Sequence, residues 1–226
     1  MIKTGLLGGS FNPAHAGHRR LSLAAAAALG LDEVWWLVSP GNPLKPASEM
    51  APLEARIASA FRMARGAPIR VTAIECELGS PYSVETVEAL LRRFPERRFI
   101  WLIGADNLTL FHRWREWRRI ARLVPIAVVM RPGYHGRAYR ARAMGWLRRF
   151  VRPAATARRW THWRLPSLVL LRTPLDPTSA TAIRAVAPDW HLSDEYTFNP
   201  RALRDGVTRR PLDRRRHIAC TDPRSG

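Results

Sequence analysis

The sequence predicts an α/β protein with a doubly wound parallel sheet, in which helices pack on both faces. Six short apolar runs have the length of buried strands, and segments of helical character lie between most of them. Such alternation is typical of parallel sheets whose strands are joined by crossover helices. The chain has 226 residues, of which 46% are hydrophobic, so it can bury one sizeable core.

Each predicted strand is a short apolar run that ends at glycine, proline or polar residues. The first begins at Ile2 and is stopped by Gly8 and Gly9. In chain order, the six strands are predicted at residues 2–7, 33–39, 69–75, 97–104, 126–130 and 167–171.

The predicted helices are recognised by composition and by apolar residues at helical spacing. Residues 16–29 are rich in alanine and leucine, and Gly30 stands where a C-terminal cap is expected. Three further helices are predicted at residues 53–64, 83–94 and 179–187. Residues 134–163 mix arginine with aromatic residues at weak helical spacing, which predicts one or two helices at the edge of the sheet.

Composition predicts a soluble, cytoplasmic protein. No apolar run in the sequence approaches the roughly 18 residues that a membrane-spanning helix needs, and the segment before Gly8 is too short for a signal peptide. Cys76 and Cys220 are far apart in the sequence, so we expect reduced thiols rather than a disulfide framework or a zinc site.

The net charge of +19 raises a second hypothesis, a nucleic-acid-binding protein. The excess is almost entirely arginine, and it is spread from Arg19 to Arg224 rather than concentrated in one basic helix. From about residue 194 the chain is polar and arginine-rich, so we expect one domain over residues 1–193 and a flexible extension over residues 194–226. Nucleic-acid binding is therefore kept as an alternative and not as the main interpretation.

The stretch GLLGGSFNPAHAGH, residues 5–18, joins a strand, a glycine pair, a loop and the start of a helix. This layout is typical of a nucleotide-phosphate site, because glycines let the backbone approach phosphates and a helix N-terminus presents N–H donors. His15 and His18 are three residues apart on the first helical turn, so both rings can face one ligand. Two structural histidines or a metal pair are the alternatives, although helical zinc pairs usually stand four residues apart.

The segment GGSFNPAHAGH resembles the signature of the nucleotidylyltransferase superfamily, G-G-[ST]-F-D-P-x-H-x-G-H. The longer match, from about residue 2 to residue 186, resembles the bacterial nicotinate-nucleotide adenylyltransferases. The resemblance implies a Rossmann-like nucleotidylyltransferase domain. Asn12 replaces the commoner aspartate of the signature, but its side chain can still form the turn, so we expect activity to survive. The implied site consists of His15 and His18 as catalytic residues and of Gly8, Gly9, Ser10 and Phe11 as ATP-binding residues.

A second motif, TSATAIR at residues 178–184, resembles the family's I-S-[SA]-T-x-I-R. Ser179 and Thr181 at the start of a helix can cap it and donate to phosphate oxygens, and Arg184 supplies a planar cation one turn later. The resemblance makes Arg184 a third catalytic residue. Lys45 in NPLKP matches a loop lysine or histidine that the family uses around the phosphates.

The resemblance also implies a set of residues that bind the mononucleotide. Thr86 in PYSVETV matches the family's threonine, and Arg131 in VVMRPGY matches its arginine beside the pocket. Asp106 and Trp114 lie in IGADNLTLFHRW, where the family places an aspartate near the nucleotide and a tryptophan against the pyridine ring. Trp117 is three residues further and could cover the same spot, so the two tryptophans are alternatives.

The implied reaction transfers the adenylyl group of ATP to nicotinate mononucleotide and releases pyrophosphate, a step of NAD biosynthesis. ATP is a substrate, Mg²⁺ is expected to be held mainly by its phosphates, and no protein metal site is expected. The resemblance to bacterial enzymes implies that the acid form of the mononucleotide is preferred over the amide. An adenylyl- or cytidylyltransferase for another acceptor, such as phosphopantetheine, is the closest alternative, and a homo-oligomeric assembly is left open.

Overall fold

The computed structural model describes residues 1–41, 50–130, 135–172, 178–193, 196 and 203–212. Within these residues the strands form one seven-stranded sheet with the order β3-β2-β1-β4-β5-β7-β6. The strands are β1 (Ile2–Gly9), β2 (Glu33–Val38), β3 (Ile69–Thr72), β4 (Arg97–Gly104), β5 (Ile126–Met130), β6 (Val151–Arg152) and β7 (Leu168–Arg172). The predicted α/β class with a parallel sheet is confirmed: β1 pairs with β4, β4 with β5, and β5 and β6 with β7, all in parallel.

Helices follow most of the strands. They are α1 (Ala16–Leu29), α2 (Leu53–Ala64), α3 (Ile74–Leu78), α4 (Ser83–Arg93), α5 (Ala105–Phe111), α6 (Trp117–Leu123), α7 (His135–Tyr139), α8 (Met144–Leu147) and α9 (Ala180–Val186). Short 3-10 segments cover Arg148–Phe150, Ala154–His162 and Trp190–Leu192. None of the helices in the described part of the chain is long and apolar enough to cross a membrane.

The strand order reverses direction between β1 and β4, which lie side by side in the sheet. The register pairs Leu7 of β1 with Leu102 of β4, so both strands approach the same edge of the sheet in parallel. From β1 the chain proceeds to β2 and β3, whereas from β4 it proceeds to β5 on the other side. Open α/β sheets bind ligands beyond the carboxyl ends of their strands at such a reversal.

The structure differs from the sequence prediction at several places. The helices α5 and α6 were not predicted. Residues 73–75, predicted to continue the third strand, instead begin the short helix α3. The Thr72 hydroxyl accepts a hydrogen bond from the Ile74 N–H (3.0 Å) and turns the chain out of the strand. Residues 134–163, predicted as one or two helices, also contain the exposed two-residue edge strand β6, which is too short to produce a periodic signal.

The chain divides into two compact units. The first unit comprises Met1–Leu7, Arg20–Val34 and Tyr82–Asp176, and its core includes Trp101, Phe111 and Trp160, each at most 1% exposed. The second unit comprises Gly8–Arg19, Trp35–Pro81 and Pro177–Gly226. Its buried residues include Phe11, Trp36 and Ile57.

Part of the predicted C-terminal extension packs within the second unit. The Asp205 side chain is 3% exposed and accepts four hydrogen bonds, from the Thr72 hydroxyl and from the backbone N–H groups of Ala73, Val207 and Thr208, at 2.8–2.9 Å. The Gly206 N–H also donates to the Val71 carbonyl (2.8 Å). These hydrogen bonds hold residues 203–212 against the end of β3. The domain boundary at residue 194 stays a prediction.

We predict that Asp205→Ala lowers the free energy of unfolding by about 3 kcal/mol, because it leaves two buried and two part-buried donors without their acceptor. Urea titration followed by circular dichroism measures the change. Asp189→Ala, at an exposed carboxylate, is the matched control and should leave the unfolding midpoint unchanged. Equal midpoints for the two variants would contradict a structural role for residues 203–212.

Candidate active site

The two motif histidines lie side by side at the start of α1. The ring centroids of His15 and His18 are 3.9 Å apart, and their planes are inclined by 45°. His15 is 5% exposed and precedes the helix, whereas His18 is half-buried in its first turn. The spacing in the sequence predicted the juxtaposition of the rings. The predicted place of His15 in the first helical turn was wrong, since the residue lies directly before Ala16, where α1 begins.

Backbone hydrogen bonds fix the orientation of both imidazoles. The Gly17 N–H donates to Nδ1 of His15 (3.1 Å), and the His15 N–H donates to Nδ1 of His18 (3.2 Å). A neutral imidazole that accepts at Nδ1 carries its proton on Nε2. Each ring therefore presents Nε2–H as a hydrogen-bond donor, which suits an anionic ligand.

Gly17 is required by the packing around His15. A Cβ atom at this position would lie 2.9 Å from ring atoms of His15 and 3.1 Å from the carbonyl oxygen of Thr178. Any side chain would push apart the histidine and the segment that leads into α9. Sequence analysis gave Gly17 no role, although its place between the two histidines was a signal.

The turn after β1 is held in an uncommon backbone conformation at Phe11. Its φ angle is +48°, in the left-handed region that non-glycine residues rarely adopt. The Phe11 ring is buried, with centroids 4.8 Å from the His18 ring and 5.0 Å from the stacked Trp36 ring. Because the ring is part of the packed interior, a ligand at this turn would meet the backbone of Phe11 rather than its ring.

The second motif reaches the first through Arg184. Its Nη1 donates to the Asn12 carbonyl (2.7 Å), so the turn after β1 and helix α9 are joined within the second unit. Ser179 caps α9, since its hydroxyl accepts from the Ala182 N–H (3.1 Å), as the sequence predicted. Thr181 is exposed in the first turn of the helix.

Asn12 is 5% exposed, and its side chain stabilises the turn after β1 by a hydrogen bond to the segment before α2. Its Oδ1 accepts a hydrogen bond from the Ala51 N–H (3.3 Å). An aspartate carboxylate would accept the same bond, which supports the expectation that asparagine at this position preserves the turn.

Arg56 of α2 is a buried cation that sequence analysis missed. It is 1% exposed, and its guanidinium donates to the backbone carbonyls of Ala51, Ser10, Ser39 and Pro40 at 2.7–3.1 Å. Burial lowers the pKa of Arg56 to about 10, so the guanidinium remains protonated at neutral pH. An arginine within a helix usually indicates a solvated position, and carbonyl acceptors leave no signal in the sequence.

The predicted mononucleotide residues that the structure describes lie in the first unit. Asp106 is exposed in the first turn of α5, directly beyond the carboxyl end of β4. A Cβ on Gly104 would displace the Asp106 carboxylate from its present position. Thr86 is fully buried in α4, and its hydroxyl donates to the Tyr82 carbonyl (3.3 Å).

Trp114 and Trp117 belong to one aromatic cluster of the first unit. Trp114 is half-buried and meets Trp101 and Phe111 edge-on, at centroid distances of 6.0 and 5.3 Å. Trp117 meets Trp146 at 5.5 Å, and the Arg118 guanidinium lies 5.0 Å from its ring centroid. A pyridine ring on Trp117 would have to compete with Arg118, which favours Trp114 as the stacking residue.

Two predicted site residues, Lys45 and Arg131, lie outside the described residues. In the part of the chain that is described, no three His, Cys, Asp or Glu side chains are grouped so that they could hold a metal ion.

Comparison with known proteins identifies the family. A model of the cytidylyltransferase-like family matches residues 6–186. A protein named as a probable nicotinate-nucleotide adenylyltransferase from Erythrobacter litoralis is 61% identical over 211 residues, which are 93% of this chain and 94% of that protein. The chain belongs to the nicotinate-nucleotide adenylyltransferase family. The resemblance read from the motifs is thereby confirmed.

Other members of the nicotinate-nucleotide adenylyltransferase family agree. The protein of the same name from Gluconobacter oxydans is 49% identical over 183 residues, 81% of this chain and 94% of that protein. Among solved structures, a nicotinic acid mononucleotide adenylyltransferase from Plasmodium falciparum complexed with NaAD superposes with a TM-score of 0.60 at 12% identity, over 82% of this chain and 83% of that chain. At that identity the likeness supports the Rossmann-like fold alone.

Proposed function

We propose that the chain transfers the adenylyl group of ATP to nicotinate mononucleotide, giving nicotinate adenine dinucleotide and pyrophosphate. Membership of the nicotinate-nucleotide adenylyltransferase family supports the substrates. The geometric observation that carries the proposal is the contact of Arg184 with the Asn12 carbonyl, because it gathers both family motifs around one turn.

ATP is proposed to bind the second unit through its phosphates. Backbone N–H groups of the turn formed by Gly8, Gly9, Ser10 and Phe11 would approach the phosphate oxygens. The Nε2–H groups of His15 and His18 supply two side-chain donors whose orientation is fixed by the Nδ1 hydrogen bonds. The remaining proposed contacts are those of Ser179, Thr181, Arg184 and Lys45.

The chemistry is an in-line displacement at the α-phosphorus of ATP. A phosphate oxygen of the mononucleotide forms the new P–O bond, and the bond to the bridging oxygen of pyrophosphate breaks. The nucleophile is already an anion, so no side chain has to deprotonate it or form a covalent intermediate. Catalysis then consists of positioning and of neutralising the charge that grows on the departing pyrophosphate, the role proposed for His15, His18 and Arg184.

Mg²⁺ is proposed to enter with ATP as part of the substrate, bound mainly by phosphate oxygens. Oxygen ligands from phosphates are typical of Mg²⁺ sites in nucleotide-dependent enzymes.

The mononucleotide is proposed to bind the first unit. Trp114 would stack on the electron-poor pyridine ring, and Asp106 and Thr86 would contact the nucleotide, with Arg131 beside it. Thr86 is buried and engaged with Tyr82, so its contribution would be to the shape of the pocket wall. Selection of the acid over the amide form is part of the proposal.

We predict that Trp114→Ala raises KM for nicotinate mononucleotide roughly fivefold or more, because a desolvated cation–π stack is worth about 1 kcal/mol or more. KM for ATP should change by less than about twofold. Steady-state kinetics with each substrate varied in turn measures the difference. Trp117→Ala is the matched variant, and a larger effect there on the same KM would transfer the stacking role to Trp117.

The proposed reaction is tested by pyrophosphate release from ATP with purified acceptors. Release is expected with nicotinate mononucleotide and not with phosphopantetheine, and replacement of ATP by CTP should abolish it. Release with phosphopantetheine alone would make the chain an adenylyltransferase for that acceptor. Duplex DNA binding that weakens steeply with salt, without any pyrophosphate release, would support the nucleic-acid alternative instead.

A cytoplasmic location and a homo-oligomeric assembly are further parts of the proposal. The described residues contain no helix that could span a membrane, which is consistent with the first. Light scattering of the purified chain would decide the second.

A further inference from the structure

We propose that Arg56 is a positioning residue for ATP, which aims the Phe11 backbone N–H at the phosphates by holding the opposite end of the same peptide group. This inference rests on the proposed binding of ATP phosphates at the turn after β1. Arg56 itself lies in α2, behind the turn, and touches the backbone carbonyls rather than the proposed ligand site.

The guanidinium bonds extensively to the backbone of this part of the second unit. Nη1 donates to the Ser10 carbonyl (2.8 Å) and to the Ser39 carbonyl (2.7 Å), while Nε and Nη2 donate to Ala51 (2.9 Å) and Pro40 (3.1 Å). Four of its five N–H donors are thus used on carbonyl oxygens. A buried cation costs free energy unless such bonds satisfy it, so this arrangement constrains the backbone strongly.

The contact with Ser10 determines where the next N–H points. The Ser10 carbonyl and the Phe11 N–H belong to one planar trans peptide group, in which the two bonds point in opposite directions. Because Arg56 holds the carbonyl from one side, the Phe11 N–H is directed to the other. Donors fixed before the ligand arrives cost no reorganisation when charge develops, which is how an enzyme gains from them.

Two other features fix the same peptide group. The φ of Phe11 is +48°, a conformation that persists only where the surroundings impose it, at a cost of order 1–3 kcal/mol. The Phe11 ring is packed against both His18 and Trp36, so it resists rotation about the backbone. One turn after Arg56 in α2, the Ser59 hydroxyl accepts a hydrogen bond from the Ala14 N–H (3.0 Å). This bond fixes the end of the loop that leads into α1.

The test in the wild-type chain uses the Phe11 amide itself. The dipeptide Ser–Phe occurs once in the sequence, at residues 10–11, so labelling with carbonyl-¹³C serine and ¹⁵N phenylalanine selects this peptide group in an HNCO spectrum. The expected result is a shift of the Phe11 amide on saturation with α,β-methylene-ATP. An amide unmoved at saturation would overturn the proposal.

The variant test is Arg56→Lys, which keeps the charge but replaces the planar fork by one ammonium that cannot reach four carbonyls. KM for ATP is expected to rise about tenfold while KM for nicotinate mononucleotide stays within about twofold. Arg62→Lys, at an exposed position of the same helix, is the matched control and should leave both constants unchanged.

A purely structural role for Arg56 would lower the melting temperature and leave KM for ATP unchanged in the folded variant, and that outcome overturns the proposal. If Arg56→Lys does not fold, the wild-type spectrum remains a test, because a Phe11 amide unmoved at saturation overturns the proposal. Absence of pyrophosphate release from the wild-type chain with nicotinate mononucleotide would instead reject the proposed function. A moving Phe11 amide in that case would still support binding of the nucleotide at the Phe11 N–H, the step on which the role of Arg56 depends.

Discussion

His18→Ala is expected to lower kcat by about 10² or more with the fold intact, because one donor to a charged transition state is lost. Nδ1 of His18 accepts from the His15 N–H, so the proton available to a phosphate is on Nε2. The alanine variant removes this donor and leaves the neutralisation to His15 and Arg184. Steady-state pyrophosphate release measures kcat, and circular dichroism verifies the fold.

Two amide substitutions separate the donor of His18 from its structural bond. His18→Asn keeps an acceptor near the position of Nδ1 but has no donor near the position of Nε2. Its kcat should therefore be as low as that of the alanine variant. His18→Gln places an amide N–H near the position of Nε2 and should recover part of kcat. His162→Ala, at an exposed histidine, should retain full activity. Near-normal turnover in His18→Asn would remove the catalytic role.

Local sequence signals predicted the elements that carry the first motif. A short apolar run before two glycines specified β1, and an alanine-rich stretch ending at Gly30 specified α1. The adjacency of His15 and His18 was predicted from their spacing, although His15 lies directly before the helix rather than in its first turn. These features depend on residues close together in the chain, which is why the sequence sufficed.

Features that depend on distant residues were not predictable. The helix α3 replaces a strand because Thr72 and Ala73 bond to Asp205, more than 130 residues further along the chain. Arg56 is buried only because four carbonyls from other segments surround it, and a carbonyl has the same chemistry in every residue. The exclusion of a side chain at Gly17 involves Thr178 as well as His15, and the sequence does not place Thr178 nearby.

Arg184→Gln is expected to lower kcat/KM for ATP by about 10², because the variant loses the positive charge that is proposed to contact a phosphate. In the wild-type chain the same guanidinium also bonds to the turn after β1. The Asn12 carbonyl takes one of its donors at 2.7 Å, and the fork shape lets a guanidinium serve a second acceptor at the same time. Glutamine can still donate to Asn12 but brings no positive charge. The comparison therefore isolates the electrostatic part of the role.

Arg184→Lys restores the charge without the fork, so it should recover activity only partly. An ammonium at this position could reach either the Asn12 carbonyl or a phosphate oxygen, whereas the guanidinium fork can bond to both. Arg164→Gln, at an exposed arginine, controls for the change in net charge and should be neutral. If Arg184→Gln kept the wild-type kcat/KM while Arg164→Gln did the same, the arginine of the second motif would serve only to hold α9 against the turn.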